Sequence, residues 1–256
     1  MFQAMAKQQV LITGASGLIG QILFPALAGE YVLHGLDRMP CTERRIIQAD
    51  IAEYDHLERV LQQLPAIDRI VHLAADPHVD APWESVLRNN IVGTRNVYET
   101  ALRFSVPQIV FASSNHVTGA YERVPMPRPP LIHSDDPIAP DSDYGVSKAC
   151  GEATARFYAD VHGVRSICLR IGSVLSDDNP ARHPRLRKLW LSHRDLVQLV
   201  TLSLRTDLRF GIFYGVSANR DALFDIADAR RLLGYEPRDD ASIFRTMAQG
   251  TATASV

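Results

Sequence analysis

A tyrosine and a lysine lie four residues apart in the segment "SDYGVSKACGE", at Tyr144 and Lys148. On a helix this spacing is just over one turn, so the two side chains share a face. A tyrosine that acts as a base near neutral pH needs a pKa about three below its usual value near 10, which corresponds to roughly 4 kcal/mol. A lysine ammonium one turn away, with further positive charge nearby, can supply that stabilisation. The pair therefore predicts proton abstraction, although this spacing is also common by chance.

Hydrogen-bonding side chains end the apolar run in "VFASSNHVTGAYE", where Ser114, Asn115 and His116 follow one another. We expect this run to be a buried strand whose carboxyl end faces the ligand crevice of a parallel sheet. Ser114 would then share the crevice with Tyr144 and polarise the oxygen that loses its proton. Asn115 and His116 can hydrogen-bond substrate hydroxyls, unless His116 is a packed residue without such a contact.

Three glycines, Gly14, Gly17 and Gly20, follow another apolar run and open an amphipathic segment in "TGASGLIG". Glycines between a strand and a helix let the backbone approach a pyrophosphate, and the helix N-terminus offers free N–H groups and a favourable dipole. This context predicts a dinucleotide site. A tight turn without a ligand is the alternative.

Two acidic residues are candidates for binding the adenosine half of a dinucleotide. Asp37 ends the second predicted strand, where a carboxylate can accept hydrogen bonds from both ribose hydroxyls and repel a 2′-phosphate. Its position favours NAD over NADP, although the adjacent Arg38 could hold a phosphate. Asp50 is a candidate for the adenine amino group or, equally, a cap for the helix that follows it.

Short apolar runs alternate with helix-length amphipathic segments, which is typical of a doubly wound parallel α/β sheet of the Rossmann type. We expect residues 1–172 to form an NAD-binding domain. Residues 173–256 would form a small C-terminal substrate lobe, with one helix returning to the sheet. Six prolines between Tyr121 and Asp143 predict an ordered surface loop. The predicted strands are Gln8–Gly14, Tyr31–Asp37, Asp68–Ala75, Pro107–Ser114 and Arg165–Gly172.

The composition narrows the class of partner. The 256 residues are 46% hydrophobic and carry a formal net charge of −2, so neither a nucleic acid nor an anionic membrane is expected to bind. The cysteines Cys41, Cys150 and Cys168 are too few and too scattered for a disulfide framework or a zinc site. They favour a reducing, cytoplasmic setting.

Taken together, the motifs resemble the extended short-chain dehydrogenase/reductase family, also called the NAD-dependent epimerase/dehydratase family. The resemblance extends over nearly the whole chain and rests on "TGASGLIG", "HLAA", "NNIVGTRNV", "FASSNHVTG", "YGVSK", "LRIGS", "HRDLVQLV" and "RRLLGYEP". It implies NAD as cofactor, a catalytic group of Ser114, Tyr144 and Lys148, and a homo-oligomer formed through the helices after Trp83 and Tyr144. The implied cofactor contacts are Gly14, Gly17, Leu18, Ile19, Gly20, Asp37, Asp50, Ile51, Leu73, Ala74, Ala75, Asn90, Tyr144 and Lys148. At Asn90, the family position that supports the active-site lysine, the alternative is a polar residue on a solvated helix face.

Within that family the chain is most similar to the uronate dehydrogenases. Asn115 and His116 stand where sugar-nucleotide dehydratases carry an Asp-Glu pair, and a chain of 256 residues leaves little room to grip a nucleotide sugar. The resemblance implies NAD-dependent oxidation of C1 of a hexuronic acid, glucuronate or galacturonate, to the aldarolactone. Tyr144 would be the base. Ser173 and Arg185 would hold the carboxylate, for which a planar guanidinium is suited.

Some features leave alternatives open. The segment "HLAADPHVDAPWE" has no serine before Trp83 where the uronate dehydrogenases have one, so His78 or Asp80 could substitute or the substrate could differ. Arg182, Arg185 and Arg187 could be a solvated edge. A nucleotide-sugar 4-epimerase, or another sugar-active member of the family, is the alternative function. A non-catalytic cofactor-sensing module is less consistent with the retained Tyr144 and Lys148.

Overall fold

A seven-stranded parallel sheet forms the centre of the molecule, with the strand order β3-β2-β1-β4-β5-β6-β7. The computed structural model describes residues 6–41, 45–123 and 131–244. The predicted doubly wound parallel sheet is confirmed. The strands are β1 Gln9–Thr13, β2 Val32–Asp37, β3 Ile46–Gln48, β4 Arg69–His72, β5 Gln108–Ser114, β6 Arg165–Ile171 and β7 Phe210–Gly215.

Helices cover both faces of this sheet. One face packs against α1 and α8, and the other packs against α2, α4 and α6. The α-helices are α1 Leu18–Leu27, α2 Tyr54–Gln63, α3 Trp83–Ser85, α4 Gly93–Arg103, α5 Ala120–Arg123, α6 Asp143–His162, α7 Pro184–Leu189 and α8 His193–Arg205. Two π-helical segments, Val86–Val92 and Ala229–Leu233, and three 3₁₀ turns, Asn115–Thr118, Pro180–Arg182 and Ala241–Phe244, complete the described elements.

Alternating side chains on the strands explain why the sheet is covered on both sides. Val10 and Val110 belong to the apolar layer under α1 and α8, whereas Leu11 and Phe111 belong to the layer under α2, α4 and α6. Successive side chains on a strand point to opposite faces, so a strand with two covered faces must be apolar throughout. This arrangement leaves the carboxyl edge of the sheet as the place where polar strand ends can meet a ligand.

The part of the chain after residue 172 contributes both to the sheet and to the region beside its carboxyl edge. Helix α8 packs against one face of the sheet, and β7 pairs in parallel with β6. The sequence pattern did not predict β7, because glycines interrupt the apolar run in "FGIFYG". A separate apolar cluster joins β7 to the segments around Ile132, Leu189 and Phe224. The division of the chain at residue 172 stays a prediction.

The proline-rich segment predicted as a loop begins with α5, and its residues 124–130 lie outside the described part of the chain. Further on, Ile132 forms a β-bridge with Phe224, which ties the segment to the C-terminal part. Among the helices that the structure describes, none has the length and apolar character needed to cross a membrane.

Candidate active site

A cavity of about 660 Å³ lies at the carboxyl edge of the sheet and joins the two groups of candidate residues. The glycine loop after β1 lines one part of it, and the ends of β5 and β6 line another part, together with the first turns of α6. All but one of the predicted site residues line this cavity. They are Gly14, Gly17, Leu18, Ile19, Gly20, Asp37, Asp50, Ile51, Leu73, Ala74, Ala75, Ser114, Asn115, His116, Tyr144, Lys148, Ser173 and Arg185.

The glycine loop has the geometry that a phosphate group requires. Gly14 has a φ of +73°, and a Cβ there would lie 2.7 Å from the backbone nitrogen of Ala74. Gly17 is the N-cap of α1, so the free N–H groups of that helix open toward the loop. The buried Ser16 Oγ finds no hydrogen-bond partner among the described residues. Side-chain-free backbone and an unsatisfied hydroxyl at a helix N-terminus fit the pyrophosphate of a dinucleotide.

The two acidic residues differ in their surroundings. Asp37 is buried at the end of β2, where its Oδ2 accepts from the Ser16 N–H at 2.9 Å and its Oδ1 from the Met39 N–H at 3.0 Å. Asp50 accepts from the Ala52 N–H at 2.9 Å and from Arg88 Nη1 at 2.8 Å. Burial opposes ionisation of Asp50, yet these hydrogen bonds and the Arg88 charge hold its pKa below the usual value.

Neither acidic residue caps a helix through its side chain. Helix α2 has Glu53 as its N-cap, with no side-chain hydrogen bond there, so Asp50 does not fill the alternative role of helix cap. Both carboxylates line the cavity, which fits their predicted contacts with an adenosine.

Asn90 does not line the cavity, in contrast to its predicted cofactor contact. Its side chain is buried rather than solvated, which also excludes the alternative of a solvated helix face. Its Nδ2 donates to the Asp76 carbonyl and to Ser147 Oγ, both at 3.1 Å, and its Oδ1 accepts from the Asp76 N–H at 2.7 Å. Asn90 therefore ties the loop after β4 to α6, and its neighbour Asn89 lines the cavity instead.

Ser114, Tyr144 and Lys148 are brought together by the junction of β5 and α6. Ser142 caps α6 by accepting from the Gly145 N–H, which starts the helix one turn before Lys148. Ser114 ends β5 and lines the same cavity as Tyr144. Lys148 Nζ lies 5.6 Å from the centre of the Tyr144 ring and donates to the Ala112 carbonyl at 2.7 Å. A hydroxyl group placed beside Ser114 would meet Tyr144 as well.

Burial dominates the protonation of this group. It raises the pKa of Tyr144 above its usual value, against the hydrogen bond from Ser114, and it lowers the pKa of Lys148 to about 8. The expectation that Lys148, together with the positive nicotinamide ring of a bound cofactor, lowers the pKa of Tyr144 stays a prediction. Tyr144 needs the positive charge of a bound cofactor, as well as Lys148, to act as a base near neutral pH.

Asn115 and His116 follow β5 in a 3₁₀ turn and line the cavity. The buried Asn115 Nδ2 has no acceptor among the described residues. His116 Nδ1 lies 2.9 Å from Asp141 Oδ1, and the imidazole meets the Tyr144 ring edge-on at a centroid distance of 5.8 Å. An unsatisfied amide and a fixed imidazole beside Tyr144 are suited to binding hydroxyl groups.

Arg185 lines the cavity, but its guanidinium is paired with Glu122. Nε and Nη2 donate to the two carboxylate oxygens at 2.8 and 3.2 Å. The neighbouring Arg182 is exposed and paired with Asp177, as the solvated-edge alternative predicts for that residue. Ser173, which exchanges backbone hydrogen bonds with the strand-like segment Leu189–Leu191, lines the same cavity.

The two substitutes considered for the missing serine do not line the cavity. His78 has a 73% exposed side chain that bonds Asp76, and Asp80 is exposed. Pro77 and Val79 occupy that part of the wall. The loop after β4, which carries the extra residue, therefore presents apolar side chains to the cavity and not a hydroxyl group.

A buried network behind the site is absent from the sequence predictions. Glu152, one turn after Lys148 on α6, receives Arg170 Nε and Nη2 at 2.9 Å each and Ser113 Oγ at 2.6 Å. Arg170 Nη1 also donates to the Tyr214 hydroxyl at 3.3 Å. The network links α6, β5, β6 and β7 directly beneath Ser114. The sequence signals for this network are two charged residues, Arg170 inside an apolar strand and Glu152 on an apolar helix face.

Comparisons with known proteins agree with this geometry. A family model described as the NAD dependent epimerase/dehydratase family matches residues 10–201. Among curated proteins, an NAD-dependent glucose-6-phosphate dehydrogenase of Haloferax volcanii is 36% identical over 250 residues, which is 93% of this chain and 95% of that protein. An L-arabinose 1-dehydrogenase (NAD(P)(+)) of the same organism is 35% identical over 91% of this chain and 98% of its own.

A solved structure extends the agreement to the fold. A mutant of uronate dehydrogenase from Agrobacterium tumefaciens, complexed with NAD, is 32% identical with a TM-score of 0.85, and the match covers 98% of this chain and 92% of that one. The glycine loop, the unsatisfied Ser16 hydroxyl and Asp37 fit the cofactor that these comparisons indicate, so NAD is confirmed as the cofactor. The chain belongs to the NAD-dependent epimerase/dehydratase family and is an NAD-dependent oxidoreductase that acts on CH–OH groups.

Proposed function

We propose that the protein oxidises C1 of a hexuronic acid, glucuronate or galacturonate, to the aldarolactone. The observation that carries the proposal is the single cavity in which Ser114 and Tyr144 lie with Asn115, His116 and Arg185. These side chains combine a base for a hydroxyl group with hydrogen-bonding groups for a sugar and a guanidinium for a carboxylate.

The residues divide the chemistry as follows. Tyr144 takes the proton of the C1 hydroxyl, and Ser114 holds the same oxygen by a hydrogen bond. The buried Lys148 stabilises the tyrosinate as it forms. NAD, which the loop of Gly14 and Gly17 and the Asp37 carboxylate would hold, would supply the acceptor for the hydride from C1. Loss of one proton and one hydride turns the cyclic hemiacetal into the lactone.

The 3₁₀ turn after β5 supplies the side chains that bind the hydroxyl groups of the sugar. The Asn115 amide, which lacks an acceptor in the protein, donates to a sugar hydroxyl. The His116 imidazole accepts from another hydroxyl, because Asp141 holds its Nδ1–H. A buried donor without a partner costs about 1–3 kcal/mol, which a bound hydroxyl recovers. The carboxylate of the sugar would lie against Arg185 and Ser173.

A second candidate is C1 oxidation of a sugar without a carboxylate, and the Glu122–Arg185 ion pair favours it. A guanidinium already held by a carboxylate has less to offer a carboxylate of the substrate. The relatives described above include a glucose-6-phosphate dehydrogenase and an L-arabinose 1-dehydrogenase, so C1 oxidation of such sugars is compatible with this chain's similarity.

The test is a substrate panel. The purified protein should form NADH with glucuronate or galacturonate, and the panel adds glucose, arabinose and glucose 6-phosphate, each with NAD and with NADP. Turnover of glucose, arabinose or glucose 6-phosphate but of neither uronate would reject the hexuronate proposal and select the second candidate. Interconversion of UDP-hexoses without net NADH would instead identify a 4-epimerase.

The role of Tyr144 has its own test. We expect Tyr144→Phe to abolish NADH formation while NAD still binds. Because burial raises the pKa of Tyr144, the rate should rise with pH, and Lys148→Ala should move that rise to higher pH. If the rate of NADH formation changes neither with pH nor with these substitutions, Tyr144 is not the base.

The cellular setting stays a proposal. The three cysteines are unpaired, which is compatible with the reducing conditions of the cytoplasm.

A further inference from the structure

Glu122 holds Arg185, which lines the sugar end of the cavity. It belongs to α5, which follows the 3₁₀ turn with Asn115 and His116, whereas Arg185 belongs to α7. Arg185 lines the cavity and Glu122 does not, so the carboxylate approaches the guanidinium from the side away from the substrate. The Glu122 side chain is only 10% exposed, against 39% for Arg185.

The geometry of this ion pair determines which hydrogen-bond donors of Arg185 remain for a substrate. The donors Nε and Nη2 form one edge of the guanidinium, and Glu122 takes both in a two-pronged contact. A carboxylate of a bound sugar can reach the group only through its remaining donors or by displacing Glu122. Displacement is unfavourable, because Glu122 is already tethered and loses no translational freedom on binding. The pair also presents no net charge to the cavity.

We propose that Glu122 is a specificity-determining residue that, by neutralising Arg185, lowers the affinity of the cavity for a carboxylate-bearing sugar relative to an uncharged one. The inference rests on the proposed function in placing the sugar beside Tyr144. It adds the residue that sets the charge preference, whichever sugar the enzyme prefers.

The alternative role of the pair is a structural tie between α5 and α7. A tie of that kind predicts that loss of Glu122 weakens the binding of charged and uncharged sugars alike. A specificity role predicts opposite behaviour of the two sugars, so the ratio of their affinities separates the roles.

The experiment is calorimetric titration of glucuronate and of glucose into the protein with NADH present, which cannot accept a hydride from the sugar, comparing wild type with Glu122→Gln. The amide keeps the shape of the side chain and one acceptor for Arg185 but removes its charge. We expect the Kd for glucuronate to fall about tenfold, the scale of one charge at a partly exposed site. We expect the Kd for glucose to change by less than about twofold.

Two further variants sharpen the comparison. Glu30→Gln is the matched control, because Glu30 pairs with Arg205 in the same two-pronged way at 2.9 and 2.7 Å, with Arg205 on α8 away from the cavity. It should leave both affinities unchanged. Adding Arg185→Gln to Glu122→Gln should remove the gain for glucuronate. If Glu122→Gln does not fold, Glu122→Asp, whose shorter side chain weakens the contact with Arg185, should give a smaller gain in the same direction.

The outcomes separate this inference from the proposed function. An unchanged or weaker affinity for glucuronate in the folded variants overturns the inference, and so does an equal change for glucose. Tighter glucuronate binding without any NADH formation from either sugar supports the inference and rejects the proposed function. Turnover by the wild type, with the same ratio of glucuronate to glucose affinity in Glu122→Gln as in the wild type, supports the proposed function and overturns the inference.

Discussion

His116 is held by Asp141, whose two carboxylate oxygens lie 2.9 and 3.0 Å from the imidazole Nδ1. A carboxylate accepts hydrogen bonds, so Nδ1 is the donor in this contact and Asp141 fixes the orientation of the ring. The approach of Asp141 depends on Gly119, since a Cβ there would collide with the carboxylate. The same carboxylate accepts from Ser142 Oγ, the N-cap of the helix that carries Tyr144.

Asp141 is therefore a positioning residue for His116. We expect Asp141→Asn to lower kcat/KM for the sugar about 10- to 100-fold, because an amide can turn its NH₂ group toward the ring and the imidazole loses its fixed orientation. Steady-state kinetics give the loss, and NAD titration should show an unchanged Kd. Asp143→Asn, at an exposed position in the first turn of the same helix, is the control and should keep most of the activity. Equal losses in both variants would contradict the assignment.

Asp37 is predicted to set the preference for NAD. The buried carboxylate is fixed by the N–H groups of Ser16 and Met39 at the edge of the cavity, where it repels a 2′-phosphate. Asp37→Asn should raise kcat/KM with NADP and lower it with NAD, changing their ratio by about tenfold. Adding Arg38→Gln should cut the gain with NADP if that cavity-lining arginine binds the phosphate. A ratio unaffected by Asp37→Asn would exclude Asp37 from cofactor selection.

Local patterns account for the features that the sequence predicted. The glycines after β1 and the spacing of Tyr144 and Lys148 are short-range signals, and each depends on one turn or one helix. The same holds for the polar end of β5 at Ser114. Strand β7 was not predicted, because its glycines break the apolar pattern that is typical of a buried strand.

Long-range pairs could not be read from such patterns. Glu122 and Arg185 are 63 residues apart, and His116 and Asp141 are 25 apart, so only the folded chain shows which carboxylate meets which base. The burial of Tyr144 was also out of reach of local patterns for this reason. Helical spacing places Lys148 beside it, but the degree of burial that raises the tyrosine pKa depends on the packing of the whole edge of the sheet.

Removing one member of the buried Arg170–Glu152 pair should destabilise the protein strongly. Both side chains are buried, at 2% and 5% exposure, so removing one charge leaves the other without compensation. We expect Glu152→Gln to lower the free energy of unfolding by about 3–5 kcal/mol, measured by urea denaturation. Combining Glu152→Leu with Arg170→Met should cost less than Glu152→Gln alone. A loss no larger than that of the exposed-pair variant Glu30→Gln would contradict this account.

The homo-oligomer stays a proposal, and the structure offers a surface for it. Helix α6 exposes Val146, Phe157 and Val161 at 44%, 50% and 64%, beside Leu87 and Val92 of the adjacent π-helical segment. Apolar side chains grouped on one face favour association. Phe157→Glu should give the monomer mass in light scattering at micromolar concentration, whereas Leu232→Glu, on another exposed apolar residue, should not. A monomeric wild type would reject the proposal.

Lys148 links function to the pH dependence of stability. Its ammonium is buried and donates to the Ala112 carbonyl, and burial lowers its pKa from 10.5 to about 8. Below pH 8 both the folded and the unfolded chain hold the proton, and the folded chain bears the full cost of the buried charge, about 3 kcal/mol. Between pH 8 and 10.5 the unfolded chain binds more protons, so the stability contributed by this group rises with pH.

The comparison that isolates this effect is wild type against Lys148→Met. From pH 7 to 9.5, the unfolding free energy of the wild type should rise relative to the variant by about 2 kcal/mol, measured in urea at both pH values. Lys7→Met is the control, since Lys7 also donates to a carbonyl at 2.7 Å but is exposed. If the difference in unfolding free energy between wild type and Lys148→Met stays constant with pH, Lys148 is not a desolvated charge in the folded protein. At neutral pH the charge opposes folding, which is consistent with the role proposed for Lys148 in stabilising the tyrosinate of Tyr144.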